Sequence, residues 1–178
     1  MTRLRWTFLI VIASVAALAA AADIRVTPLT REGRVLVSFE MPSGFSDEMR
    51  EAVHSGLPTS FTYEVELRRG VSFWFDRTIT SATVSAEVQF DNLTRQHKLA
   101  RLIDGRMEHN ELTADEGAVA KYLTTFERLS LFATTELEPN GEYYIRVRAQ
   151  TRPRVGWSFL WPWDRSAASG YAKFTFIP

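Results

Sequence analysis

Leu137-Glu138-Pro139-Asn140-Gly141-Glu142-Tyr143-Tyr144-Ile145-Arg146-Val147-Arg148-Ala149 joins a turn to an alternating segment, and its pattern points to the class of the whole chain. Pro139, Asn140 and Gly141 are turn residues: proline presets φ, and asparagine and glycine tolerate conformations closed to other side chains. From Tyr143 onward the residues alternate. Tyr143, Ile145, Val147 and Ala149 fall on one side and Tyr144, Arg146 and Arg148 on the other, the period of a strand with one buried face. Later in the chain, Ser169 to Ile177 repeats the pattern with Ala172, Phe174 and Phe176 on one face, so a last strand follows.

The same period recurs upstream. Val35, Val37 and Phe39 share a face; Phe61, Tyr63, Val65 and Leu67 alternate with Thr62, Glu64, Glu66 and Arg68; Val84, Ala86, Val88 and Phe90 run to the turn Asp91-Asn92, which hands over to Arg95 to Ile103. Strands with one apolar and one polar side belong to antiparallel sheets. Two segments have helical spacing instead. Ser46 caps a short helix with Asp47 and Glu48 in its first turn and Met49, Ala52 and Val53 as its stripe, stopped by Gly56 and Pro58. Thr113-Ala114-Asp115-Glu116 reads as a capping box that opens a second helix carrying Val119, Tyr122, Leu123 and Phe126.

The spacing of leucine, proline, tyrosine and valine in 137–149 resembles the turn and penultimate strand of a fibronectin type III domain. The resemblance implies that the Tyr143 hydroxyl bonds back to the preceding turn, a tyrosine corner. The expected fold is therefore a mostly β, immunoglobulin/fibronectin-like antiparallel β-sandwich with two short inserted α-helices. A second resemblance covers nearly the whole chain beyond its start. Gly56-Leu57-Pro58 with Phe61, Glu64 and Leu67, then Arg68-Arg69, Phe73-Trp74-Phe75-Asp76 and Asp91-Asn92-Leu93-Thr94-Arg95-Gln96, is similar to an uncharacterised family of exported proteobacterial proteins, domain-of-unknown-function family 4390. Phe73-Trp74-Phe75 stands where the family has a doubled tryptophan, and His97 where it has a tyrosine. The resemblance implies an exported compartment and a fold, and no activity is established for the family; members are often encoded beside sensor histidine kinases, which implies an accessory place in envelope signalling.

The N-terminus carries an address. Arg3 and Arg5 precede an apolar and small-residue run from Thr7 to Ala22, shorter than the roughly 20 residues that span a bilayer, and Ala20-Ala21-Ala22 offers the small residues of a signal-peptidase site. Residues 1–22 are expected to be a cleaved signal peptide and 23–178 a single periplasmic domain; the alternative is an uncleaved inner-membrane anchor. The chain has no cysteine, which excludes disulfides, thiolate metal sites and a lipid-anchored cysteine. Basic and acidic residues balance at 21 each, and nothing in the composition marks a nucleic-acid partner.

No cofactor or catalytic motif stands out, and an enzyme is not expected. The three histidines, His54, His97 and His109, are read as a helix-end cation, a solvated strand residue and part of an acidic neighbourhood. His109, Glu111, Asp115 and Glu116 cluster, but the helix cap accounts for Asp115 and Glu116, leaving too few ligands for a metal. Glu64 and Glu66 share a strand face at the separation of a glycosidase pair, and equally at the separation of any solvated strand. The candidate partner- or membrane-binding residues are Phe159, Trp161 and Trp163 within Trp157-Ser158-Phe159-Leu160-Trp161-Pro162-Trp163, with Arg154 and Arg165 beside them, and Arg68 and Arg69. The tryptophan segment is either a lid on the core or an exposed tip touching an envelope protein or membrane surface. Trp74 is either the core tryptophan of the sandwich or part of an interface. Two functions stay open: a non-enzymatic binding or adaptor module of the cell envelope, or a small-ligand or lipid binder using an apolar cleft or the aromatic loop.

Overall fold

The computed structural model describes residues 24–70, 77–153 and 168–178, the last three residues of the second stretch by backbone alone. The N-terminal segment 1–23, Trp74 with its neighbours in 71–76, and Trp157–Trp163 with Arg154 and Arg165 lie outside the described residues.

Among the described residues, nine strands and two helices follow in the order β1 (Arg25–Arg31), β2 (Arg34–Glu40), α1 (Asp47–His54), β3 (Thr59–Arg69), β4 (Arg77–Asp91), β5 (Gln96–Ile103), β6 (Arg106–Thr113), α2 (Glu116–Thr124), β7 (Thr125–Ala133), β8 (Glu142–Pro153) and β9 (Ser169–Thr175), with a 3₁₀ turn at Thr134–Glu136. One sheet has the order β6-β5-β4-β3-β8-β9 and the other β1-β2-β7; every neighbouring pair is antiparallel. The fold is a mostly β antiparallel sandwich with two helices, as the alternating segments predict.

Three strands cannot cover six, and the helices complete the second layer. β1 packs against β8 and β9, while α2 packs on β4, β5 and β6. The core between the layers takes Phe61, Tyr63, Val65 and Leu67 from β3, Val35, Val37 and Phe39 from β2, Ile145 and Val147 from β8, Val53 from α1, and Val119 and Leu123 from α2. Each such side chain contributes about 1.5–3 kcal/mol on burial. At its centre Phe39 stacks on Phe126 at 4.4 Å and tilts on Tyr63 at 5.0 Å, joining β2, β7 and β3. The Tyr63 hydroxyl donates to the Leu123 carbonyl at 2.8 Å, which ties the end of α2 to the central strand, and burial pushes that phenol's pKa well above its ordinary value.

Helix α1 follows its signals: the Ser46 side chain accepts from the Met49 amide at 3.3 Å, and Gly56 adopts φ 78° just past the end. Helix α2 starts two residues later than the expected capping box. Asp115 is the N-cap and accepts from the Gly117 amide at 2.8 Å, while the Thr113 hydroxyl, two residues before it, accepts from the Asp115 amide at 3.1 Å. Phe126, expected on the helix, belongs to β7. Arg101 stabilises the helix C-terminus: its guanidinium lies 4.5 Å over the Tyr122 and Phe126 rings and donates to the Tyr122 carbonyl at 3.1 Å.

The Tyr143 hydroxyl accepts from the Glu138 amide at 2.7 Å, so the corner that opens β8 is formed. Gly141 leaves room for it: a Cβ there would lie 2.8 Å from the Tyr143 ring. The division into six strands and three exceeds the four and three of an immunoglobulin constant domain.

Candidate functional site

The outer face of β3, β8 and β9 brings together Glu64, Glu66, Arg68, Arg146 and Arg148 with Tyr144, Tyr171 and Lys173. Register decides it. Glu64 lies opposite Arg148, Glu66 opposite Arg146 and Arg68 opposite Tyr144 across the β3–β8 pair; across β8–β9, Tyr144 faces Lys173 and Arg146 faces Tyr171. An acidic column on β3 thus stands beside a basic column on β8, the arrangement cross-strand pairing favours.

Glu66 is the hub. Its carboxylate accepts from Arg146 Nε at 2.6 Å and pairs with Arg146 Nη2, while Arg148 reaches it at 3.3 Å and Arg68 at 3.5 Å. Glu64 takes a second bond from Arg148 at 3.0 Å. The Glu66 side chain is only 9% exposed although it points away from the core, whereas Arg146 and Arg148 keep 31% and 39% exposure. Glu66 therefore forms the floor of the array, while Glu64, at 34%, reaches the surface beside Arg148. The Arg68 guanidinium lies 5.7 Å over the Tyr144 ring.

At the β8–β9 end a shallow depression of about 360 Å³ is lined by Tyr144, Arg146, Tyr171 and Lys173, with Gly70 and Glu142 at one end. Tyr171 is 71% exposed, and Lys173 has no carboxylate within ion-pair reach among the described residues. A second open depression, of about 490 Å³, runs over Ala100 between Glu87 and Gln89 on one side and Met107 and Leu112 on the other. Both are surface grooves outside the layers.

The two arginines singled out by sequence part company. Arg68 joins the face just described. Arg69, on the next position of β3, turns to Glu138 in the loop before β8 and holds both its oxygens at 2.6 and 2.5 Å, a bidentate clasp across the corner of Tyr143. That bond, with the positive charge beside it, holds the Glu138 carboxyl below its usual range. Glu64 and Glu66 do share a face, as their spacing requires, and both are engaged by arginine. Arg146, Arg148, Tyr171 and Lys173 were missed as site residues. Their alternation was visible, but the pairing that sets β8 beside β3 joins residues 84 apart.

The histidines differ from their sequence reading in one respect. His54 at the end of α1 pairs with Glu116 of α2. His97 is not solvated: it is 3% exposed, on the inner face of β5, with its ring 4.8 Å from Phe90 and 6.3 Å from His54. The helices cover this end of β5, which a polar tetrapeptide could not reveal. His109 approaches Glu111 at 3.3 Å. Among the described residues no three histidine or carboxylate side chains converge as metal ligands, and no helix is long and apolar enough to cross a membrane.

No curated protein and no solved structure matches the chain. A family described as domain of unknown function DUF4390 matches residues 19–153, from before β1 through β8, and so takes in the two columns whose arginines and glutamates build the outer face. With that match over most of its length, the chain belongs to the DUF4390 family.

Proposed function

We propose that this protein is a non-enzymatic binding module of the cell envelope, exported by its N-terminal segment and docking a partner protein on the outer face of β3, β8 and β9. The observation that carries the reading is the Glu66-centred array, which holds Arg146 and Arg148 in place beside Tyr144 and Tyr171. Arginine and tyrosine are the residues enriched where protein interfaces concentrate their energy, and holding them in position before contact lowers the entropy lost on docking. The depressions among the described residues are open and edged by charge, features that suit a docking face better than an apolar ligand cleft.

Two measurements test this. The mass of the exported form should correspond to a chain beginning at Asp23; recovery of the intact chain in the membrane fraction would replace the cleaved signal with an anchor. A photo-crosslinking residue at Tyr171 should yield a discrete adduct in the producing cell's envelope, lost when Lys173→Glu is added and not formed from Leu93, which is 95% exposed in the β4–β5 turn. Equal adducts from both positions, or none from Tyr171, would remove the docking face. Adducts from Trp161 or Trp163 alone would move the contact to the aromatic segment.

A further inference from the structure

The outer face also indicates what kind of partner surface it takes. We infer that the β8–β9 face recognises an acidic polypeptide segment in extended conformation, an inference that rests on the docking reading above.

The charges on the face are unequally available. Glu64 and Glu66 are both spent within the array, on Arg148 and on Arg146, Arg148 and Arg68. The array sets three guanidinium groups against two carboxylates and so keeps a net positive charge, and Lys173 extends it onto β9 beside Tyr144. Glu142, exposed at the start of β8, is the one carboxylate among the described residues that line the depression, where it stands with Gly70. The face is net positive, with Arg68, Arg146, Arg148 and Lys173 against Glu64, Glu66 and Glu142.

Spacing selects the shape of the partner. Arg146 and Arg148 are alternate residues of one strand, about 6.8 Å apart along it, and an extended peptide repeats its own side chains at the same interval. Acidic side chains at alternate positions can then meet successive guanidinium groups, whose planar forks bind carboxylates through paired hydrogen bonds. Glu66 acts as a positioning residue, since it fixes where both forks begin. Tyr171, opposite Arg146 and largely exposed, adds a ring that can cover the peptide backbone and a hydroxyl that can bond to it. An anionic membrane is the competing chemistry, and the geometry disfavours it: these cations are pinned in a sheet by carboxylates, whereas lipid headgroups are gathered by long, unpaired lysines around inserted apolar side chains.

The probe is a ten-residue peptide alternating glutamate and threonine, titrated into the purified protein while backbone amide resonances are followed by NMR. Shifts should map to Tyr144, Arg146, Tyr171 and Lys173 and should shrink with added salt. Lys173→Glu should weaken binding by about tenfold or more, the loss of one charge-assisted contact, and Glu142→Gln should strengthen it. Both positions are on the surface, so neither substitution threatens the fold. Glu66→Gln should weaken binding while leaving Lys173 untouched, because the arginine forks lose their anchor. The inference is overturned if the peptide does not bind, if a lysine-threonine peptide binds equally, if the shifts map elsewhere, or if phosphatidylglycerol vesicles bind this face and the peptide does not. Crosslinking from Tyr171 without peptide binding would keep the docking face and discard the acidic partner; loss of both would discard the face itself.

Discussion

Single residues decide whether the loop before β8 is a hinge or a lock. The Tyr143 hydroxyl accepts from the Glu138 amide, and the Glu138 side chain is clasped by Arg69, so three residues from β3, the loop and β8 hold one another. Tyr143→Phe should lower stability by about 1 kcal/mol or somewhat more, the worth of a part-buried hydrogen bond, in urea denaturation. Tyr144→Phe should change it little, because that ring lies on the outer face; a reversed ranking would mean that β8 is displaced by one residue. Gly141→Ala should be worse than Tyr143→Phe, since the new methyl meets the tyrosine ring itself. The clasp adds a pH dependence of known sign. Glu138 binds its proton less readily in the folded state, so its stabilisation is complete above the ordinary glutamate value of about 4.3 and is lost as pH falls below it through the lower folded value. Glu138→Gln should remove that component from the acid limb of a stability profile, and an unchanged limb would show that the clasp contributes nothing in solution. Tyr143 was legible from sequence because its spacing from Pro139 and Gly141 is local. The clasp was not, because Arg69 and Glu138 are brought together only by the pairing of β3 with β8.

Elements were readable in proportion to how one-sided their surroundings are. β3 shows its apolar face plainly because a packed core lies on one side and solvent-facing charge on the other. β6 gave no period at all: it is the edge of the six-stranded sheet and exposed nearly throughout, so no selection for alternating burial acts on it. β1 hides behind Pro28, which an edge strand tolerates and a central strand would not. β7 was lost because Val119, Tyr122, Leu123 and Phe126 extend one helical stripe, whereas the chain leaves the helix at Thr124 and delivers Phe126 to the core as a strand residue. Contacts between elements can be broken selectively. Gly170 on β9 sits so close to the chain entering β1 that a Cβ would fall 1.8 Å from the Ile24 carbonyl oxygen. Gly170→Ala must therefore push β1 from β9, and we expect a loss of roughly 1–3 kcal/mol with amide exchange accelerated in β1 first. Uniform acceleration across both sheets would indicate that β1 does not open independently.

On the scale of the whole molecule, the mostly β class and the presence of two helices were legible, while the layer that the helices complete was not, because nothing local states that three strands must cover six. The charged face shares that fate: alternation shows which residues point outward, but only the pairing of distant strands turns glutamates and arginines into an array. The same pairing has a kinetic consequence. β3 lies at the middle of the six-stranded sheet, and one of its two neighbours is β8, whose Arg148 meets a glutamate 84 residues earlier in the chain. Sheets dominated by such distant partners fold in milliseconds to seconds rather than microseconds. As the chain emerges from the ribosome, β3 and β4 can form a hairpin, but its other edge waits for the last third of the polypeptide. Until then one edge of β3 stays unpaired, and the six-stranded sheet cannot close over its core.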